Sequence, residues 1–322
     1  QAFFTEFTWN LLQHFYPKTC PRCKDTKLTK PIKNRETAVR CAKCHHQASR
    51  TAYTPLHHLK LPVWTFGYIL WEAVIQHPIP ISGEQIRRRL GVSKNTSALL
   101  KKRLMLFMSD LLPLIKERLY SEIKEAWKDE KLPKTGDISS IIKDKPVLSM
   151  DTVALFSASQ RANGYLARKK HSGATASIYL STRVIKETGK SPQIGTLAHT
   201  IAVKKGPVFF KSIPDQTQSS IKPIIDELPV NAVVLADDGF PYLQRYRNIQ
   251  YRAVNHSARA KDGKRHKFAK HRWSKDGVHN NTAEGNQRIL KHAMIAAHSY
   301  FSPESSQMRL DEWSGIKGLK VY

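Results

Sequence analysis

Four cysteines constrain this chain more than any other feature. Cys20 and Cys23 form one C-x2-C pair, Cys41 and Cys44 form a second, and no other cysteine occurs. The gap of 17 residues between the pairs falls in the range of four-thiolate zinc sites. Each pair sits in a short turn, CPRC or CAKC, so both of its thiolates can point at one ion. The alternative is two disulfides or four free thiols, and two-residue spacing in both pairs of an intracellular-looking chain argues against it. The spacing therefore predicts one structural Zn2+ in a ribbon of short strands. Phe4, Phe7, Leu11 and Phe15 recur at helical spacing just before it, and predict a helix leaning on the ribbon. Residues 1–50 thus read as an N-terminal helix and zinc ribbon. Such ribbons bind DNA, RNA or protein, so the pattern specifies the metal and leaves the partner open.

Charge narrows the partner. Lys and Arg number 53 against 26 Asp and Glu, a formal charge of +27 over 322 residues. So one-sided a balance points to a polyanion, and most often to nucleic acid. No basic helix shows a clean apolar face, and no run approaches the roughly 18–20 apolar residues of a membrane span, so no membrane partner is expected. The opening QAFFTEFTWNLLQHFYP lacks a basic n-region and a small-residue cleavage site, which predicts a cytoplasmic protein.

Residues 51–127 read as a helical DNA-binding domain. Pro62 opens a helix whose apolar face includes Trp64, Ile69 and Leu70. The segment 82–104, SGEQIRRRLGVSKNTSALLKKRL, reads as two short helices around a tight turn. Ser82 and Gln85 make a capping box, Gly91 ends the first helix, and Ser93 caps the second. In this helix-turn-helix grammar Lys94, Asn95, Thr96 and Ser97 face base edges, while Arg87, Arg88, Lys101, Lys102 and Arg103 hold phosphates. A helical hairpin with a solvated basic face is the plainer alternative.

Residues 128–146 are polar, with two prolines and a glycine, and read as a linker. From 147 to 300 the grammar changes. VLSMDTVALF, IGTLAHTIAV, PVFFKSI, VNAVVLA and IQYRAV are strand candidates, and IKPIIDEL and TAEGNQRILKHAMIAAH are helical. That alternation predicts a mixed α/β sheet. Residues 157–190 are poorly patterned, and 301–322 read as a C-terminal tail.

Carboxylates at strand ends stand out in so basic a chain. Asp151 lies on the first strand, Asp237 and Asp238 close VNAVVLA, and Glu284 opens the last helix. Three carboxylates on separate elements, gathered at one sheet edge, suit two Mg2+ or Mn2+ ions and phosphodiester chemistry. A turn aspartate, a helix-dipole glutamate and an incidental strand aspartate would look the same by spacing alone.

The ordered set of motifs adds to this. CPRC, CAKC with Ser49, Thr51, Thr54, His57 and the KLP of 60–62, IRRRLGVSKNTSALLKKRL, SMDTV, KSPQIGTLAHTIAVKKGPV, ADDGFPYL, RAVNHS and HNNTAEGNQRILK follow one another over residues 15–295. In that order they resemble the transposases of bacterial insertion-sequence family 1595, the ISXO group. The resemblance implies a multidomain α/β protein: zinc ribbon, helix-turn-helix domain, and a ribonuclease H-like mixed-sheet catalytic domain with a DDE triad. Asp151 matches the first Asp, and Asp238, followed by Gly239 and Phe240, matches the second. Glu284 matches the third, and Lys291 matches a basic residue that the family often carries two helical turns later. The chain departs from the family at Thr152, where a Glu is common. It departs again at Asn286 and Gln287, where aromatics are usual, and at Tyr53, where the family has Gly.

The expectation is a DNA transposase that binds terminal inverted repeats, cleaves them, and joins the freed 3′-hydroxyl to target DNA. Asp151, Asp238 and Glu284 would be its catalytic metal ligands, and double-stranded DNA its partner, with a homodimer or larger assembly on paired ends. From Arg259 to Lys275 lie eight Lys or Arg and one acid, and there Lys264, Arg265, Lys267, Lys270 and Arg272 are expected to neutralise DNA backbone. A nuclease that cuts without joining and a non-enzymatic zinc-ribbon regulator are the alternatives.

Overall fold

A computed structural model describes residues 1–16, 19–24, 28, 30–156, 195–255, 274–296 and 305–322. It is a mixed α/β, multidomain architecture with a small four-cysteine module. The chain divides into two compact units. One holds Gln1–His77 and Ile81–Leu111, the other Pro78–Pro80 and Leu112–Tyr322.

In the first unit, β1 (Lys30–Ile32), β2 (Arg35–Arg40) and β3 (Gln47–Ser49) form an antiparallel meander. Asn34 takes φ 67° in the β1–β2 hairpin, a left-handed conformation that Asn tolerates better than most residues. Cys20, Cys41, Leu28 and Val39 are buried together beneath this sheet. Helix α1 (Ala2–Phe15) packs on α2 (Trp64–Gln76), with the Phe4 ring against Tyr68 and Trp71. Gly67 permits the approach, because a Cβ there would stand 2.4 Å from Thr8 Oγ1. The aromatic stripe of α1 thus serves chiefly α2. Its link to the ribbon is Trp9, which carries the Arg50 guanidinium 4.0 Å from its ring centre.

Helix α3 (Gly83–Leu90) has the expected capping box: Ser82 Oγ accepts from the Gln85 N–H at 3.1 Å, and Gln85 Oε1 accepts from the Ser82 N–H at 2.7 Å. Gly91 closes it at φ 63°, a conformation that costs an L-residue about 1–2 kcal/mol. The next helix, α4 (Lys94–Ala126), is not short. It runs for 33 residues with Pro113 inside it. Its length follows from a buried stripe at three- and four-residue spacing: Leu100, Leu104, Phe107, Leu111, Ile115, Leu119 and Ile123.

The second unit is built on a five-stranded sheet of order β6-β5-β4-β7-β8. Its strands are β4 (Leu148–Phe156), β5 (Gly195–Val203), β6 (Val208–Ile213), β7 (Ala232–Asp237) and β8 (Ile249–Val254). β4, β5 and β6 pair antiparallel, while β7 lies parallel to β4, and β8 parallel to β7. Helix α5 (Gln218–Asp226) precedes β7, and α6 (Asn281–Ala296) lies across β4 and β5. Val153, Leu155, Ala198, Phe210, Leu290, Met294 and Trp313 form the core between the sheet and these C-terminal helices.

Two expectations are corrected here. Residues 128–146 are not a free tether, because Gln250 and Arg252 of β8 bind the segment. Gln250 accepts from the Leu132 N–H and donates to the Glu130 carbonyl, and Arg252 donates to the carbonyls of Pro133 and Gly136. Residues 301–322 are not a loose tail either: Ser306–Val321 form helix α7, packed on β6. Among the described residues, no helix is long and apolar enough to cross a membrane.

Trp313 anchors α7, buried edge-on to Phe210 with Nε1 donating to the Pro78 carbonyl at 2.9 Å. Trp313→Ala is expected to destabilise the second unit by about 3–5 kcal/mol in urea unfolding. A loss below about 1 kcal/mol would show that α7 is dispensable to this core.

Candidate functional site

The ribbon turns bring all four cysteine sulfurs within 4.8 Å of one another, the one such donor group among the described residues. Cys20 Sγ and Cys44 Sγ are 3.4 Å apart, far beyond the ~2.05 Å of a disulfide. A tetrahedral ion with Zn–S bonds of about 2.3 Å would hold its sulfurs about 3.8 Å apart, so the cluster has the size and donors for structural zinc. The environment also tunes the thiols. The His46 backbone N–H pulls the Cys44 thiol down to about 7, and the bond between the Cys23 and Cys44 sulfurs is the main cause pushing Cys23 up to about 12. Crowded sulfurs that resist full ionisation alone are those that a dication stabilises.

The second grouping lies on the sheet. β4 alternates faces, and Ser149, Asp151, Val153 and Leu155 share the face covered by α6. Ser149 pairs with Leu235 on β7; two residues further along, Asp151 stands level with Asp237 and on the same face. Glu284 sits in the first turn of α6, above that face. The Asp151 carboxyl rises to about 7, mostly through burial, then through the charge of Asp237 and, more weakly, that of Glu284. Two bonds oppose the rise: the Thr152 N–H donates to Asp151 Oδ1 at 2.7 Å, and the Gln287 side chain also binds the carboxylate. Gln287 donates in addition to Thr200 Oγ1 of β5 at 3.0 Å.

The structure thus brings Asp151, Asp237 and Glu284 into electrostatic reach of one another. Asp238, chosen from sequence as the second carboxylate, is exposed one residue further on, where its N–H continues the β8 pairing to the Val254 carbonyl. Gln287 was missed from sequence as a partner of Asp151. Its signal was present, since three residues beyond Glu284 is one helical turn. On the opposite face His199 is fully buried, held neutral with a pKa near 4 by desolvation, with Nδ1 3.0 Å from Thr152 Oγ1 and its ring edge-on to Phe240. Nothing in the sequence separates that His from an ordinary strand residue.

The residues expected to touch DNA divide. Lys94, Asn95 and Lys102 are exposed, and Thr96 is half-buried beside Ser93, whose Oγ accepts its N–H. Arg87 and Arg88 are exposed but both bind Glu84 at 2.8 Å. Lys101 is a correction: it is 7% exposed, because it lies on the inward stripe of α4 one residue beyond Leu100. Arg103 is turned to structural work, donating from Nη1 to the carbonyls of Pro55 and His57 at 2.5 and 2.8 Å. Lys291 is exposed on α6. Lys264, Arg265, Lys267, Lys270 and Arg272, and the segment 157–190, lie outside the described residues.

Compared with protein-family models, curated proteins and solved structures, this chain finds no match.

Cys41→Ser is expected to lower bound zinc from about one per chain to well below one by elemental analysis, and to unfold the ribbon. Full zinc content in that variant would remove Cys41 from the site. Asp151 gives a second test. Its carboxyl is raised in the fold from 3.8 to about 7, so the folded state holds a proton that the unfolded chain has lost between those values. Its contribution to stability therefore falls as pH rises through this window. In zinc-replete, magnesium-free buffer, Asp151→Asn should be more stable than wild type at pH 8, by at most about 4 kcal/mol, and the gap should close towards pH 4. A gap independent of pH would rule out a strained carboxylate.

Proposed function

We propose that this protein is a DDE transposase with a ribonuclease H-like catalytic domain. It binds the terminal inverted repeats of its own element, cuts the DNA at those ends, and joins the freed 3′-hydroxyl to target DNA. The observation that carries the reading is the carboxylate face of the second unit: Asp151 on the central strand, with Asp237 and Glu284 in electrostatic reach. The sheet order supports it too. Chain connections diverge on either side of the β4–β7 boundary, and open α/β sheets hold ligands beyond the carboxyl ends of parallel strands at such a point.

In donor chemistry the set suits a hard divalent cation, being all carboxylate oxygen within electrostatic reach. Asp151, the Asp237–Asp238 pair and Glu284 would hold Mg2+ or Mn2+. Two such ions, when bound, activate the attacking water or 3′-hydroxyl and stabilise the leaving oxygen. The protein's own residues orient this set. The Thr152 N–H and Gln287 fix the Asp151 carboxylate, and Ser149 Oγ accepts from the Ala283 N–H to seat the start of α6 under Glu284. Lys291, two turns along the same helix, would grip DNA backbone.

In the first unit the exposed end of α4, with Lys94 and Asn95, faces base edges, and Arg87, Arg88 and Lys102 meet phosphate. The same role is proposed for Lys264, Arg265, Lys267, Lys270 and Arg272. The ends are paired by at least two copies of the chain.

The test uses labelled duplexes carrying the inverted repeats that flank the gene, a plasmid target, and Mg2+ or Mn2+. Wild type should give cleaved ends and joined products. Asp151→Asn and Glu284→Gln should reduce both by at least a hundredfold while duplex binding stays within about threefold. Cleavage without joined products would reassign the protein as a nuclease. Binding without divalent-dependent cleavage would make it a regulator.

A further inference from the structure

Tyr53 is the residue of the first unit hardest to explain by packing. It takes φ 59°, a left-handed conformation that is an outlier for a bulky aromatic, yet its side chain is 91% exposed. Burial therefore does not compensate for the backbone. The loop beneath it is firmly built. Thr54 Oγ1 donates to the Thr51 carbonyl at 2.8 Å and accepts from the Leu56 N–H at 3.1 Å, and Leu56 is fully buried. Arg103 of α4 clamps the carbonyls of Pro55 and His57 from below. A rigid loop thus holds an aromatic side chain in solvent.

Tyr53 is also not alone. Its ring lies 6.3 Å from that of His57 at an interplanar angle of 28°, and His57 stacks on His58 at 3.9 Å and 22°. His57 and His58 in turn line a cavity of about 400 Å3, whose wall is completed by Trp9, by Thr5, Thr37, Ser49 and Thr51, and by an apolar side of Leu59, Leu61, Pro62 and Val63. An apolar wall with a few hydroxyls and imidazoles around a space of that size suits a ligand with a flat or apolar face and some polar groups. The charge selects an anion: no Asp or Glu occurs between Glu36 and Glu72, while Arg40, Lys43, Arg50 and Lys60 do.

We propose that Tyr53, His57 and His58 form a stacking platform for an unpaired nucleobase of DNA at the mouth of the adjoining cavity, with its phosphate towards the surrounding cations. Every base offers a π-face, so an exposed ring stack beside cations captures a single-stranded nucleotide without reading its sequence. The inference rests on the DNA-binding reading above and adds a ligand to it: a frayed, nicked or single-stranded end rather than duplex.

The experiment uses the full chain and two DNAs, a flush duplex and the same duplex with a short single-stranded extension carrying 2-aminopurine. Wild type should bind the extended DNA more tightly than the flush one and quench the fluorophore. Tyr53→Ala and Tyr53→Gly should lose roughly five- to 150-fold in affinity for the extended DNA only, and lose the quench, whereas Tyr53→Phe keeps both. Tyr53→Gly should also melt no lower than wild type, because the left-handed backbone costs glycine nothing. A marked drop in its melting temperature would overturn the proposal in favour of a packing role. Equal binding of both DNAs by wild type, or an unaffected Tyr53→Ala, would overturn it while leaving the transposase reading intact. Competition by dAMP as effective as by the oligonucleotide would overturn it in favour of a mononucleotide pocket. Failure of wild type to bind any DNA would sink both readings together.

Discussion

A carboxylate on the central strand of a sheet is the condition to which the second unit is fitted. β4 is flanked by β5 and β7 and covered by α6, so Asp151 has little water with which to share its charge. Its neighbours are arranged on two opposing principles. The Thr152 N–H and Gln287 stabilise the ionised form, while Asp237 and Glu284 oppose it. A fold selected for stability alone would place an apolar residue there, since an unpaired buried charge is among the costliest features a core can carry. A carboxyl is retained there instead, with the charges of Asp237 and Glu284 in reach, and burial and those charges raise it to about 7.

The two faces of the same strand show how one residue of register separates function from packing. Asp151 looks towards α6, whereas Thr152 looks the other way, into a dry layer with His199 and Phe240. That layer is polar yet quiet: burial keeps His199 uncharged, and Thr152 gives it a partner. Phe240 ties it to the turn that carries Asp237, Asp238 and Gly239.

Much of this was readable from the chain. The cysteine module was, because C-x2-C turns are local and their spacing reports geometry directly. So were the five strands, whose apolar runs are bounded by turn residues. What escaped needed information that local pattern does not carry. That Asp237 stands level with Asp151 depends on the β4–β7 pairing, and a shift of one residue moves a side chain to the other face. Helix α7 was hidden by Gly315 and Gly318, which look like breakers. Gly318 is a contact point instead: a Cβ there would meet Ile115 Cδ1 at 2.5 Å. The segment 128–146 read as a linker because Gln250 and Arg252 hold it through its backbone carbonyls, and such bonds leave no hydrophobic signature.

The Arg103 clamp has a consequence for how the positive charge of this protein is counted. A guanidinium bound to two backbone carbonyls is a rivet, and Lys101, turned inward beside it, is as little available to a ligand outside. Lys102, between them in sequence, faces solvent. Three adjacent cations on one helix thus belong to two different populations, one that shapes the molecule and one that advertises it. The net charge of the chain sums both, whereas only the second can pair directly with the phosphates of a polyanion.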